Sequence, residues 1–264
     1  MGLVTGQTLR MASPWYRVVM CLAVVSLLAA SPSTGQSPIG LGIGALQTML
    51  ADKSPEIRTK SAQALGRVGG RRAVLVLRRG LTDKTVEVRI AVVEALGFVG
   101  GRLAITVLSE ALKDRAPEVR IRAVGALRAA GTVSAIPILQ KAFEDKEASV
   151  RLHAALMLRK IGHRAGVPVL GGAVLADRDP SVRAVCALYL GGLGVKDLRA
   201  VAYLGQVLTG EKSATVRIRA VEALGYVQLP QAVAALQIAL ADRDDGVRTR
   251  ATEVMGRVLS KDFQ

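Results

Sequence analysis

The sequence predicts an all-α fold, a right-handed α-solenoid of about seven helical hairpins, from three observations. A dipeptide of an aliphatic residue followed by Arg recurs seven times, at intervals of 31 to 34 residues. An acidic residue stands five positions before each of these dipeptides. No segment sustains the alternation of apolar and polar residues that marks a strand. A nearly fixed period of this length is typical of arrays in which each repeat packs against its neighbours.

The second helix of each repeat is predicted to begin just before the dipeptide. The seven dipeptides are Ile57-Arg58, Val88-Arg89, Val119-Arg120, Val150-Arg151, Val182-Arg183, Val216-Arg217 and Val247-Arg248. Three residues before each lies a candidate N-cap, and five of the seven are of a favoured type. Pro55, Pro117 and Pro180 follow at the first helical position, where the missing N–H costs nothing.

Glycine is predicted to end these helices in a left-handed conformation. Twelve residues after the aliphatic anchor stand Gly69, Gly100, Gly131, Gly162 and Gly194. The first helices show pairs of large apolar residues four apart, such as Leu46 and Leu50. The corresponding residues Leu170 and Leu175 are five apart, and Gly171-Gly172 between them predicts a bulge.

The repeat resembles the short HEAT-like repeats of the phycobilisome-lyase type, in which D-x-x-x-x-V-R is followed by spaced alanines and A-L-G. Asp114, Val119-Arg120, Ala123, Ala126 and Leu127 follow this pattern, and the resemblance covers roughly residues 39–260. It implies an armadillo-type superhelix. It also implies that the acid and the Arg of one repeat, such as Asp52 and Arg58, pair across the hairpin turn in a structural role.

Residues 1–36 are predicted to be an export signal with a short linker, which leaves residues 37–264 for the repeat array. Arg10 and Arg17 precede the apolar run of residues 18–30, and small polar residues follow it. This order is typical of a signal peptide, and the run is shorter than the roughly 20 residues that span a bilayer. The sequence therefore predicts a periplasmic or secreted protein. The alternative is a membrane anchor formed by the uncleaved segment.

The sequence predicts that the chain is not an enzyme and holds no metal or cofactor. Its two histidines, His153 and His163, are not followed by Glu, unlike the iron-binding His-Glu pairs of the deoxyhypusine hydroxylases within the resembling family. Cys186 takes the repeat position of Ala123, which predicts a buried, inert thiol. No cluster of Cys, His or carboxylates has the spacing of metal ligands.

A row of aliphatic residues on the second helices is the predicted partner-binding surface. At 100° per residue, the side chain two positions after the anchor points nearly away from the helix's own core. The candidate partner-binding residues at or beside this position are Ile90, Ile121, Leu152, Leu156, Leu188 and Ile218. One interpretation is a concave groove for an apolar peptide or a partner helix. The alternative is that neighbouring repeats cover these side chains.

A second row, three and ten residues after the anchor, is basic. Its cationic members are Lys60, Arg67, Arg122, Lys160, Arg219, Arg250 and Arg257, and Phe98 and Tyr226 interrupt it. The whole chain has 36 Lys and Arg against 21 Asp and Glu, a formal charge of +15. Such a row suits a polyanion. It equally suits a solvated edge that keeps the array soluble.

The sequence thus favours an exported, non-catalytic HEAT-repeat scaffold that binds a protein or peptide along its concave face. Two alternatives remain. The first is an accessory protein or enzyme of the bilin-lyase kind, which only the resemblance implies. The second is an envelope protein that binds a polyanion.

Overall fold

The computed structural model describes residues 38–131 and 133–261, which form 14 α-helices and no strand. The helices pair into seven hairpins, so the predicted all-α repeat fold is confirmed. The chain divides into two compact units, residues 1–131 and residues 132–264. Three hairpins belong to the first unit and four to the second.

The described part of the first unit contains six helices. They are α1 (Pro38–Met49), α2 (Pro55–Val68), α3 (Gly70–Gly80), α4 (Val86–Val99), α5 (Gly101–Ala111) and α6 (Pro117–Ala130). The second helices α2, α4 and α6 pack side by side, and each also packs against the first helix of its own hairpin.

The described part of the second unit contains eight α-helices. They are α7 (Ile136–Lys141), α8 (Ala148–Ile161), α9 (Val167–Ala176), α10 (Pro180–Leu193), α11 (Leu198–Gly210), α12 (Ala214–Leu224), α13 (Pro230–Leu240) and α14 (Asp245–Lys261). Short 3₁₀ turns flank α7 and precede α9. The second helices α8, α10, α12 and α14 pack in sequence, as their counterparts do in the first unit.

The second helices begin where the sequence predicts. The predicted N-cap Asp179 caps α10 by accepting a hydrogen bond from Ser181 N at 2.8 Å, but the first two predicted N-cap side chains make no such bond. Ser54 and Thr85 occupy the N-cap positions of α2 and α4 without a side-chain capping bond. The carboxylate two residues earlier accepts a hydrogen bond from the N-cap N–H instead, 2.8 Å from Asp52 Oδ1 to Ser54 N and 2.8 Å from Asp83 Oδ1 to Thr85 N. The acid before each dipeptide therefore shapes the turn as well as carrying charge.

Only three of the five predicted glycine caps have a φ in the positive range that favours glycine. Gly69 and Gly100 have φ near 68° with an extended ψ, and Gly162 alone lies in the left-handed helical region. Gly131 (φ 176°) and Gly194 (φ −99°) adopt conformations open to other residues. The predicted left-handed helical conformation is therefore found only at Gly162, while Gly69 and Gly100 share its positive φ but not its ψ.

The predicted bulge at Gly171-Gly172 is also wrong. Helix α9 is continuous, and Val174 fills the core one turn after Leu170 while Leu175 is 42% exposed. The extra residue of this repeat lies at the end of α9. Gly171 serves packing instead, since a Cβ there would stand 2.2 Å from the ring of Tyr203.

Each core is built from aliphatic side chains, as a chain with only 3% aromatic residues requires. The second helices bury Leu65, Leu96 and Leu127 in the first unit. The helices approach closely because a glycine of one helix faces an alanine of the next. A Cβ on Gly66 would lie 2.9 Å from Ala95 Cβ. The glycine of the A-L-G pattern therefore leaves room for the alanine of the next second helix.

Within residues 38–131 and 133–261, no helix is both long enough and apolar enough to cross a membrane. The predicted export signal, residues 1–36, lies outside the described residues.

Candidate functional site

A buried ion pair links successive repeats, and its partners differ from the predicted ones. Arg89 is 3% exposed, and its Nε and Nη2 donate to Asp114 Oδ2 at 2.6 Å and Oδ1 at 2.9 Å. Arg89 Nη1 donates to the main-chain oxygen of Asp83, the acid of its own repeat, at 2.8 Å. The resemblance implied a pair within one repeat. The carboxylate partner instead comes from the following repeat.

The same bidentate arrangement recurs in both units. The equivalent pairs are Arg58–Asp83, Arg151–Asp177, Arg183–Glu211 and Arg217–Asp242. Arg120 is buried as well, and its Nη1 donates to the main-chain oxygen of Asp114 at 2.9 Å. We call these interactions the inter-repeat ladder. Two parallel N–H···O bonds fix both distance and angle between hairpins.

The pKa shifts of the paired arginines and carboxylates indicate that the ladder has a structural role. Hydrogen bonds from Arg217 hold the pKa of Asp242 below its usual value, against the opposing effect of burial. The pKa of Arg217 is raised by the same bonds. Both groups therefore stay charged, and neither is poised to exchange a proton near neutral pH.

The predicted partner-binding residues all lie half-buried on the second helices. In the first unit these are Ile90 on α4 and Ile121 on α6. The second unit contributes Leu152, Leu156, Leu188 and Ile218. Each unit therefore presents a partly solvent-accessible aliphatic strip, which we call the apolar row. Its members are neither fully covered by neighbouring helices nor fully in water.

The predicted basic edge is largely exposed and partly neutralised by nearby acids, with Lys60 and Arg250 half-buried. In the first unit Lys60 pairs with Glu56 at 2.7 Å, and Arg122 lies 3.3 Å from Glu94. In the second unit Arg219 pairs with Glu222, and Arg250 pairs with both Glu222 and Glu253. Arg67, Lys160 and Arg257 are exposed. Phe98 and Tyr226 are 75% and 57% exposed.

Two basic features escaped the sequence analysis. A Lys or Arg directly follows the acid of every repeat, and all are exposed: Lys53, Lys84, Arg115, Lys146, Arg178, Lys212 and Arg243. The arginines of this set tie neighbouring turns together, as Arg243 does to the main-chain oxygen of Lys212 at 3.3 Å. The second feature is the pair of Arg dipeptides seven residues apart on α3, Arg71-Arg72 and Arg78-Arg79. Aligning the repeats would have revealed both.

Cys186 and His163, whose side chains could be reactive, lie in local environments that give them a structural role. Cys186 is fully buried in α10, and burial raises the pKa of its thiol, which confirms the predicted buried position. His163 is exposed, and its Nδ1 accepts a hydrogen bond from Ala165 N at 3.2 Å. Among residues 38–131 and 133–261, no three His, Cys, Asp or Glu side chains group as metal ligands would.

Comparison with known proteins places this geometry in a family. The profile of the HEAT repeats matches residues 44–127, 105–177 and 167–256, which together span most of the chain. A search of curated protein sequences found no significant match.

Similar solved structures include three proteins of different roles. Human deoxyhypusine hydroxylase is 21% identical, with 93% of this chain and 98% of that chain covered and a TM-score of 0.44. The CpcE–CpcF complex of phycocyanin lyase from Nostoc sp. PCC7120 is 20% identical, with 87% and 96% covered and a TM-score of 0.44. The karyopherin Kap121p, bound to the extreme C-terminus of the protein phosphatase Cdc14p, is 13% identical with a TM-score of 0.60; 94% of this chain and 34% of that chain are covered.

The matches correct one prediction and support another. The prediction that the chain is not an enzyme is contradicted, because a hydroxylase and a lyase complex are among the proteins that share its repeat architecture. The family profile, the hairpins and the inter-repeat ladder agree on the fold, and the chain belongs to the family of HEAT-repeat proteins.

Proposed function

We propose that this HEAT-repeat protein is exported and binds a protein partner along the apolar row. The observation that carries the proposal is the half-buried state of Ile90 and Ile121 on adjacent helices of the first unit. The core of these helices is already filled by Val88, Val92 and Val119, each fully buried. The core is therefore complete without the exposed part of the row, which is available to a partner.

Position-by-position comparison supports a binding role for the row. The first and last repeats place Thr59 and Thr249 where the others place aliphatic residues. A hairpin of this kind therefore forms with a polar residue there. The karyopherin Kap121p offers a precedent, because it holds a protein segment on a similar repeat fold. The partial neutralisation of the basic edge favours a protein over a polyanion as the partner of these second helices.

Replacing Ile90 and Ile121 together with Ser is expected to weaken partner binding about tenfold or more. Full burial of such a side chain contributes roughly 1.5–3 kcal/mol, and about half of it remains to be buried on binding. Two residues thus contribute roughly 2 kcal/mol, where 1.4 kcal/mol is tenfold. The partner is first identified by cross-linking in the native cell envelope. It is then titrated against the purified unmodified protein and against the purified Ile90/Ile121 variant.

The matched control replaces Leu103 and Leu112 with Ser. These half-buried leucines belong to α5 and its C-terminal cap in the same unit, away from the row. The control is expected to bind normally. A loss of several kcal/mol of stability in the Ile90/Ile121 variant would instead mean that neighbouring helices cover the row, and unchanged binding would also refute the proposal.

The export proposal has its own test. The order of basic, apolar and small-polar segments in residues 1–36 supports cleavage, and the mature chain is expected to begin between Ser31 and Gln36. N-terminal sequencing of protein isolated from the envelope fraction measures this. An intact start at Met1 or Met11 on protein from the cytoplasmic fraction would contradict export.

A further inference from the structure

The solvent-facing side of α3 consists of four arginines around one leucine. Arg71, Arg72, Arg78 and Arg79 are exposed, and Leu75 is 44% exposed. Residues three or four apart are neighbours on a helix, so Leu75 adjoins all four arginines. The opposite side of α3 is buried and apolar. We call these five residues the arginine face.

The charges of the arginine face are mostly uncompensated. Glu110 on α5 pairs with Arg78 Nε at 3.0 Å, and both side chains are largely exposed. In the described part of the chain, Arg71, Arg72 and Arg79 have no acidic partner, and α3 itself contains no acid. Three exposed guanidinium groups therefore lie within about two helical turns without a carboxylate partner among the described residues.

The fold does not require this cluster. Arg71 and Arg72 lie in the first turn of α3, where the positive end of the helix dipole disfavours cations. The first helix α13 of another repeat is solvent-exposed at Gln231, Ala234 and Gln237 and carries no charge at all. Since a hairpin of this fold forms with no charge on its first helix, folding does not require the arginines.

An open cleft adjoins the arginine face within the same unit. It has a volume of about 710 Å³, and Leu75, Leu81 and Ala111 form its apolar part. Its polar lining includes Arg78, Arg79 and Lys113, together with Glu110 and Asp114. Each of these two carboxylates is already paired with an arginine, Glu110 with Arg78 and Asp114 with Arg89. Arg79 also borders a second cleft of about 310 Å³ between α1 and α3. The face thus offers an apolar recess directly beside Arg79, which has no acidic partner among the described residues.

We propose that the arginine face binds an acidic, amphipathic segment of a partner protein. An apolar side chain of the segment packs on Leu75 and enters the adjoining cleft, while its carboxylates accept paired hydrogen bonds from Arg71, Arg72 and Arg79. The planar guanidinium group matches a carboxylate in this way better than an ammonium group does. The inference is independent of the proposed function, because the apolar row lies on the second helices.

The composition of the face favours a peptide over two other anions. A single exposed leucine provides too little apolar area for a surface that inserts into a membrane, where several large apolar residues are needed. The face has no aromatic side chain on which nucleic-acid bases could stack. Charge complementarity together with one central apolar contact fits an acidic peptide that carries a leucine or similar residue.

The test titrates the natively processed protein with a fluorescein-labelled peptide in which Glu residues flank two leucines. The Arg71→Glu/Arg72→Glu variant is expected to bind at least tenfold more weakly, and its melting temperature should be unchanged or higher because Glu suits the first turn of a helix. Leu75→Gln is expected to weaken binding at least threefold and to leave binding of a leucine-free Glu peptide unchanged.

The matched control is Arg164→Glu/Lys196→Glu, which changes the net charge equally at two exposed positions of the second unit. It is expected to bind within twofold of the unmodified protein. Three outcomes would each overturn the proposal: no binding of the leucine-containing peptide, equal weakening by the control variant, or displacement of the peptide by phosphatidylglycerol vesicles that bind the face more tightly.

Discussion

Gly191→Ala is expected to destabilise the protein by about 1–3 kcal/mol or more, the cost typical of overpacking a tightly packed core. Gly191 lies in α10 where that helix meets α12. A Cβ at this position would stand 2.4 Å from the main-chain oxygen of Ala223 and 2.6 Å from its Cα. These atoms belong to the backbone, so the two helices must move apart to accept one methyl group.

The adjacent residue provides the control for this prediction. Gly192 belongs to the same helix, and a Cβ there would meet nothing within 4 Å. Gly192→Ala is expected to stabilise the protein by up to about 1 kcal/mol, since alanine is the better helix former. Thermal unfolding of the two variants should therefore shift in opposite directions. Melting temperatures that move together would show that the α10–α12 contact tolerates expansion.

Asp114→Ala is expected to cost about 3–5 kcal/mol of stability, because it leaves the buried Arg89 charge without a counter-ion. The side chains of Arg89 and Asp114 are only 3% and 8% exposed. The substitution also removes the acceptor of the Ala116 N–H, 2.9 Å away, at the start of α6. Denaturant unfolding monitored by far-ultraviolet circular dichroism measures the loss.

An exposed pair in the same unit is the control for the ladder. Glu94 lies 3.3 Å from Arg122, and their side chains are 48% and 56% exposed. Glu94→Ala is expected to change stability by less than about 1 kcal/mol, as is usual for surface pairs. Similar losses in both variants would mean that the ladder contributes no more than a solvated ion pair.

The free energy of unfolding, measured as the pH falls, provides an independent test of the ladder. Burial alone would raise the pKa of Asp114, but hydrogen bonds from Arg89 and from the Ala116 N–H outweigh it, and the pKa lies below its usual value. A carboxylate with a lowered folded-state pKa stabilises the protein above its unfolded-state pKa and loses that effect as the pH falls. The Asp114→Ala variant should therefore lose less stability on acidification than the unmodified protein.

The sequence by itself determined the local structure of this protein. Pro55, Pro117 and Pro180 begin second helices as predicted, because proline restricts its own φ wherever it stands. The apolar spacing also identified the buried positions of α4 and α6, such as Val88 and Val119. These features depend on residues close together in the chain, so a repeated pattern reveals them.

Only the tertiary structure decided how the repeats meet. Arg58 reaches Asp83, 25 residues away, although Asp52 is nearer in sequence, because side chains on a second helix point sideways toward the next hairpin. Gly191 and Gly192 are indistinguishable in sequence, yet one faces a neighbouring backbone and the other faces solvent. The half-buried state of the apolar row is likewise set by the neighbouring helices. Contacts between hairpins depend on distances through space, which no pattern within a single repeat contains.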